Sequence, residues 1–301
     1  MKILKKQIKN ICSKLNESLV EFSLLGSGNH NVNYLIVTSN NKYVLRIENN
    51  PQFKNLRKEF RLLKKLKKGL GPKVFFLDTT KKIIPAEYFI EEFIEGKQQT
   101  KKTNEFLISM ALWLKKLHQN KKICKPHSMS TAIKPYIKNI NNNATVLSPL
   151  IKDKIDLLIN RIKLFAKEKN SFFAKRTRKS LIHSDLSKGN ILINDGKIAL
   201  IDWEFSNYNF PEYDLIYFIQ HFKLTLEQKT LFLKSYGYSK NDFNKLTVIN
   251  LLNACGDIGY SVWRLGLIKN KELAKNIEKP TVQRLNQDIR LLNKLLLELG
   301  Y

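Results

Sequence analysis

The chain has 301 residues, 43% of them hydrophobic and 26% charged, and 53 Lys and Arg outweigh 26 Asp and Glu to give a formal net charge of +27. This is the composition of a globular protein with ample core for one large domain or two lobes, and no run approaches the ~18–20 apolar residues of a membrane span. The charge raises a nucleic-acid partner, but the lysines are spread along the whole chain and no zinc-finger spacing or RNP-like aromatic motif accompanies them, so nucleic acid is not expected as the main partner.

The chain opens with Ile3, Leu4, Ile8, Ile11 and Leu15 at helical spacing, which predicts an amphipathic first helix. It carries basic residues but no apolar core of a secretory signal, which points to the cytoplasm. Val20 to Leu25 and Tyr34 to Thr38 read as strands flanking a glycine- and asparagine-rich segment from Gly26 to Asn31, and Tyr43 to Ile47 as a third strand after the turn Asn40-Asn41. Glycines let a turn approach phosphates closely; the plain alternative for Gly26 and Gly28 is a hairpin turn. Past Pro51, Leu56, Phe60, Leu63 and Leu66 set a helical period from about Phe53 to Leu66, stopped by Gly69 and Gly71-Pro72. Val74 to Leu77 and Tyr88 to Phe93 complete a small antiparallel sheet.

Arg46 lies in the middle of an apolar strand, where a charge is costly unless paired. Glu59 on the following helix is a candidate partner, and a strand cation held by a helix carboxylate is a device for aiming charge at the α- and β-phosphates of a nucleotide. The alternative is an Arg46 that points off the sheet to solvent. The strand that runs to Gly96 offers backbone at Glu91, Glu92 and Phe93 to the edge of an adenine.

Beyond Glu95-Gly96 the composition becomes helical. Helices are expected at Asn104 to His118, Ile151 to Ala166, Leu226 to Tyr236, Phe243 to Leu252 and from about Thr281, with Asn139 to Ser148 as a surface loop. The division expected is residues 1–95 as a strand-rich, nucleotide-binding lobe and residues 96–301 as a helical lobe. Cys12, Cys124 and Cys255 lie far apart without a CxxC or metal-ligand spacing and read as reduced thiols.

The segment from Leu181 to Asp214, LIHSDLSKGNILINDGKIALIDWEFSNYNFPEYD, interrupts the helices with a hairpin divided at Asn194-Asp195-Gly196. Asp185 and Asn190 stand five residues apart before it, and Asp202 ends its second strand. An Asp able to receive a hydroxyl proton, followed by Asn and a second Asp as oxygen ligands for Mg²⁺, is the order that phosphoryl transfer in a protein-kinase-like site needs. An ordinary hairpin with solvated turn acids is the competing explanation.

With these residues in view, the chain resembles the choline/ethanolamine kinase family within the aminoglycoside phosphotransferase superfamily, over about residues 20 to 268. The likeness is carried by Gly28-x-x-Asn31-x-x-Tyr34, by Tyr43-Val44-Leu45-Arg46-Ile47, by Phe93-Ile94-Glu95-Gly96, by His183-Ser184-Asp185-Leu186 with Gly189-Asn190-Ile191-Leu192, and by Ile201-Asp202-Trp203-Glu204-Phe205 with Asp214. The resemblance implies an α+β, protein-kinase-like fold of two lobes, a small antiparallel-sheet N-lobe and a mostly helical C-lobe. It implies ATP and Mg²⁺ as cofactors and a small-molecule alcohol as acceptor: choline or ethanolamine first, with thiamine or an aminoglycoside as alternatives. Asp185 would be the base, His183 a brace or catalytic partner, Asn190 and Asp202 the metal ligands with Glu204 beside them, and Asp214 an anchor of the loop. Gly28, Asn31, Arg46, Glu59, Glu91, Glu92 and Phe93 would serve the nucleotide. Phe205, Tyr217, Tyr260 and Trp263 are the aromatic candidates for holding a cationic acceptor through cation–π attraction; Trp263 is otherwise a helix core residue. The chain departs from the family pattern at Gly266, where a second aromatic is usual, and at Gln220-His221, where an acid is. A catalytically silent nucleotide-binding protein and a basic nucleic-acid-binding protein are the remoter readings.

Overall fold

The computed structural model describes residues 3–28, 30–50, 55–174, 176–239 and 243–301, without the side chains of residues 243 and 244. In chain order the elements are α1 (Lys5–Ser13), β1 (Leu19–Ser27), β2 (Asn31–Thr38), β3 (Lys42–Glu48), α2 (Leu56–Lys65), β4 (Val74–Asp78), β5 (Tyr88–Glu92), β6 (Lys97–Gln98) and α3 (Asn104–Leu117). There follow β7 (Lys121–Ile123), α4 (Met129–Asn143), α5 (Pro149–Glu168), β8 (Arg178–Ile182), β9 (Ile191–Asn194), β10 (Lys197–Leu200), α6 (Glu212–His221), α7 (Leu226–Tyr236), α8 (Phe243–Lys269) and α9 (Glu278–Glu298). Among the described residues no helix is long and apolar enough to cross a membrane.

Two compact units result, one made of Met1–Leu117, Ile182–Asn207 and Tyr217–Phe232, the other of His118–Leu181, Tyr208–Ile216 and Leu233–Tyr301. They are drawn differently from a cut at residue 95, because α3 and the hairpin β9–β10 group with the strand-rich part. The hairpin joins it through β6, whose Lys97 and Gln98 pair with Ile193 and Leu192.

In the first unit an antiparallel sheet runs in the order β1-β2-β3-β5-β4. Alternation along the strands gives it two buried faces. Leu45, Ile47, Tyr88 and Ile90 share a core with Ile8, Ile11 and Cys12 of α1, and each fully buried Ile or Leu there is worth about 1.5–3 kcal/mol. Register places Arg46 opposite Phe89 and Val44 opposite Glu91, so these four residues occupy the other face. The turn between β1 and β2 is tighter than the sequence suggests: Gly26 pairs with Asn33 and Ser27 with Val32, so pairing continues to the edge of Gly28. The expected helix start at Phe53 lies outside the described residues, as does Asn29 of the glycine-rich segment. The hairpin β9–β10 closes through Asp195 and Gly196, both at positive φ, the two-residue turn that matches strand twist.

In the second unit the surface loop expected at Asn139–Ser148 is a correction. Asn139 to Asn143 form the last turn of α4, and a short 3₁₀ turn follows from Ala144 to Val146. Asn-rich sequence and an internal Pro135 disfavour a helix there, but Ile133 and Ile140 are buried and tertiary packing prevails. The partner is α8, which runs on to Lys269 rather than stopping near Leu252. Its glycines make the close approach: a Cβ on Gly256 would meet Tyr136 at 3.3 Å, and one on Gly259 would meet Asn139 at 3.1 Å. Gly266 belongs to the same stripe, with Asn143 Oδ1 3.4 Å from its would-be Cβ. Glycine thus stands there for helix packing, where the resemblance would put an aromatic.

Candidate active site

The residues expected to serve nucleotide and metal come together in the first unit. Arg46 does not point to solvent: only 4% of its side chain is exposed. Its Nε donates to Glu59 Oε2 at 2.9 Å and its Nη2 donates to Asp202 Oδ1, with Glu204 Oε2 at 3.7 Å. Burial alone would lower its pKa, but Glu59, Asp202, Glu91 and Glu204 more than offset that, and the guanidinium is held charged. Burial pushes the carboxyls of Glu59 and Glu91 up. Glu59 is answered by Arg46 and by the Trp203 backbone N–H at 3.1 Å, donors that favour its ionised form. The cluster as a whole has more acid than base: four carboxyls face one guanidinium, which bonds directly to Glu59 and Asp202.

The catalytic segment is braced from below. His183 is fully buried, with its ring edge-on to Trp203 at 4.6 Å. The Asp185 N–H donates to His183 Nδ1 at 3.3 Å, so that nitrogen is an acceptor and Nε2 carries the proton toward the Ile201 carbonyl at 3.1 Å. Both His183 nitrogens thus meet backbone groups of the segment that carries Asp185 and Asp202. Asn190 Nδ2 donates to Asp185 Oδ2 at 2.9 Å and to the Asp185 carbonyl at 3.1 Å. That turns its amide oxygen away from Asp185. Tyr217 O–H donates to the other carboxylate oxygen, Oδ1, at 2.8 Å. Ser184 (φ 70°) and Asp202 (φ 65°) both occupy the left-handed region that favours glycine. Such conformations persist only where surrounding contacts impose them and cluster at functional sites.

Glu204, expected beside the metal, meets the glycine-side turn: His30 Nδ1 is 2.9 Å from Oε1, and Asn31 Nδ2 donates to Oε2 at 2.8 Å. Asn31 thereby fastens the start of β2 to Glu204, and Phe205 packs edge-on to His30 at 5.3 Å. The strand after Tyr88 also shifts the backbone available to a base. The Glu92 N–H is bonded to the Lys73 carbonyl at 2.8 Å and the Phe93 N–H to the Lys42 carbonyl at 3.3 Å. The first amide beyond the ladder is that of Ile94.

The second unit holds the remaining three. Asp214 is buried, with His118 Nε2 3.1 Å from its Oδ2, and His118 Nδ1 meets Tyr236 Oη at 2.9 Å. Tyr260 and Trp263 lie on α8 with ring centroids 5.7 Å apart and tilted by 41°. Sequence reasoning missed His30 as a partner of Glu204 and the Trp203 amide as a partner of Glu59, contacts that no spacing announces.

A sequence model of the phosphotransferase enzyme family (APH) matches residues 21–244. The chain belongs to this family. Among curated proteins it is similar to protein LicA of Haemophilus influenzae, 26% identical over 119 residues, which are 38% of this chain and 43% of that protein; the match spans less than half of the relative's length. Its fold is that of the choline kinase LicA from Streptococcus pneumoniae, with TM-score 0.68, 23% identity and coverage of 96% and 99% of the two chains. It is equally that of the spectinomycin phosphotransferase APH(9)-Ia, solved with ADP and spectinomycin, with TM-score 0.69, 15% identity and coverage of 98% and 99%. The sheet-and-helix architecture implied by the sequence is thus the kinase-like one of these enzymes.

Proposed function

We propose that this protein transfers the γ-phosphate of ATP to the hydroxyl of an amino alcohol, with choline or ethanolamine as the leading acceptors. The observation that carries the reading is Asp185. Its carboxylate is oriented by Asn190 and Tyr217 in the same unit as the Arg46–Glu59 pair and Asp202. The base must lie within hydrogen-bond reach of the attacking oxygen, and Asp185 has lone pairs left for an acceptor O–H.

Asn190 and Asp202 would hold Mg²⁺. They offer the oxygen donors that a hard cation takes, and Asn190's amide nitrogen is already spent on Asp185. Among the described residues no group of three or more His, Cys, Asp and Glu is arranged to hold a metal ion, so phosphate and water oxygens would fill the other positions, as is usual for Mg²⁺. When bound, the ion neutralises charge on the phosphate oxygens. Arg46, fixed by Glu59, directs its charge toward the phosphates; Asn31 and Glu204 hold the glycine-side turn in register with Asp202. The Glu92 carbonyl and Ile94 N–H are the backbone groups we assign to the adenine edge. Tyr260 and Trp263 are the aromatic faces we assign to a cationic head group.

LicA of Streptococcus pneumoniae is described as a choline kinase, which supports this acceptor class. The test is ATP consumption by the purified chain with Mg²⁺ over choline, ethanolamine, thiamine and an aminoglycoside, beside Asp185→Ala. We expect turnover with choline or ethanolamine and its abolition in the variant. Turnover with spectinomycin-type acceptors alone would replace the substrate class, and full activity of Asp185→Ala would remove the base.

A further inference from the structure

Tyr217 is one of the aromatics that the sequence offers to a cationic acceptor. The structure gives it other work. Its hydroxyl donates to Asp185 Oδ1 at 2.8 Å, while Asn190 Nδ2 takes Oδ2 at 2.9 Å, so the carboxylate is gripped at both oxygens by neutral donors. The grip reaches across 32 residues of sequence, from α6 to the loop after β8. The ring itself is steadied one helical turn on, where His221 stacks on it at 5.4 Å with the planes 7° apart.

We propose that Tyr217 is a positioning residue for phosphoryl transfer: it fixes the carboxylate plane of Asp185 so that an acceptor hydroxyl meets a lone pair at hydrogen-bond distance, and His221 fixes Tyr217. The inference rests on the reading of Asp185 as the base. A carboxylate held by one donor can rotate about its last side-chain bond; held by two from different elements, it cannot. Proton balance is simple. The acceptor O–H gives its proton to Asp185 as the oxygen–phosphorus bond forms, ADP leaves with the electrons of the bond that breaks, and the phenol keeps its own proton throughout. Tyr217 therefore belongs with the geometry of the base rather than with proton transfer or with the cation site.

A half-buried tyrosine whose hydroxyl merely found a convenient acceptor would affect stability and nothing else. Tyr217→Phe separates the two, because it keeps ring and stack and deletes only the donor. With Mg·ATP and saturating choline, or with water as the slow acceptor, kcat should fall about tenfold, the worth of one hydrogen bond to a charged group, while KM for ATP is unchanged. His221→Ala should lower kcat in the same direction by less, again with KM for ATP unchanged. In an Asp185→Asn background Tyr217→Phe should cost nothing further, since there is no base left to position. An unchanged kcat in Tyr217→Phe, whatever its melting temperature, overturns the proposal and leaves Asp185 as the base. A full additive loss in the Asp185→Asn background also overturns it, and full turnover of Asp185→Asn itself removes base and positioning residue together.

Discussion

Two arginine–carboxylate clusters, one in each unit, look alike as lists of residues and differ in physics. In the first, Arg46 faces Glu59, Glu91, Asp202 and Glu204 from the middle of a strand, with 4% of its side chain exposed. In the second, Arg284 of α9 reaches Asp257 of α8 at 3.2 Å and Asp288, one turn along its own helix, at 3.8 Å, with 49% of its side chain exposed. Both have more acid than base. In the first the surplus gathers beside the left-handed backbone of Asp202 and the turn held by Asn31, where an incoming cation can neutralise it. In the second it lies in a seam between helices, and among the described residues Asp288 Oδ2 has no hydrogen-bond partner, so a proton is a remedy at hand. Surplus negative charge marks a cation site only when an element is bent to present it.

The largest contrast should come from deleting the two surplus acids. Asp202→Ala is expected to lower Mg²⁺-dependent turnover on the order of 10²–10³-fold and to abolish the Mg²⁺ dependence of ATP binding, measured by titration with and without the metal. Asp288→Ala should leave both unchanged. Equal effects would erase the distinction. The arginines give the next contrast, now in stability. Arg46→Met removes the guanidinium from a buried group of carboxylates and should cost about 3–5 kcal/mol in urea unfolding. Arg284→Met strips a half-exposed pair and should cost less than about 1 kcal/mol. If the two substitutions cost the same, Arg46 is not the keystone that its burial implies.

The first cluster was largely legible in the sequence and the second was not. A lone Arg46 within Tyr43-Val44-Leu45-Arg46-Ile47 demands a partner because charge in an apolar strand is costly, and Glu59 sits on the next helical element. Asp185, Asn190 and Asp202 were legible because a hairpin with its own turn chemistry spaces them. What escaped was tertiary. Nothing local in NINNNATVLS says helix, and α4 forms there because the glycines of α8 admit it. The amides of Glu92 and Phe93 were offered to a base because the extent of sheet pairing with Lys73 and Lys42 cannot be read from one strand. Tyr217 was read as a pocket aromatic because a ring announces itself in sequence, whereas the direction of its hydroxyl does not.

The smallest effect tests the second cluster by pH. Burial and the nearby charge of Asp257 push the Asp288 carboxyl up to about 7, with Arg284 opposing. An unfolded Asp titrates near 4. Between those values the folded chain holds a proton that the unfolded chain has released, so stability falls as pH rises from about 4 to about 7 and stays at its lower level above that. Asp288→Asn removes the titration while keeping the shape. It should stabilise the protein at pH 8 by on the order of 2 kcal/mol, the full linkage value reduced for the solvent that reaches this seam, and by nothing near pH 4. A melting temperature raised by a few degrees at pH 8 and unchanged near pH 4 fits a proton as the remedy for the surplus charge. The same gain at both pH values would mean that the amide packs better than the acid and that the seam carries no surplus charge to relieve. Mg²⁺ supplies the control: it should raise the melting temperature of the wild type and of Asp288→Asn alike when ATP is present, as expected of an ion we assign to Asn190 and Asp202 rather than to the seam between α8 and α9.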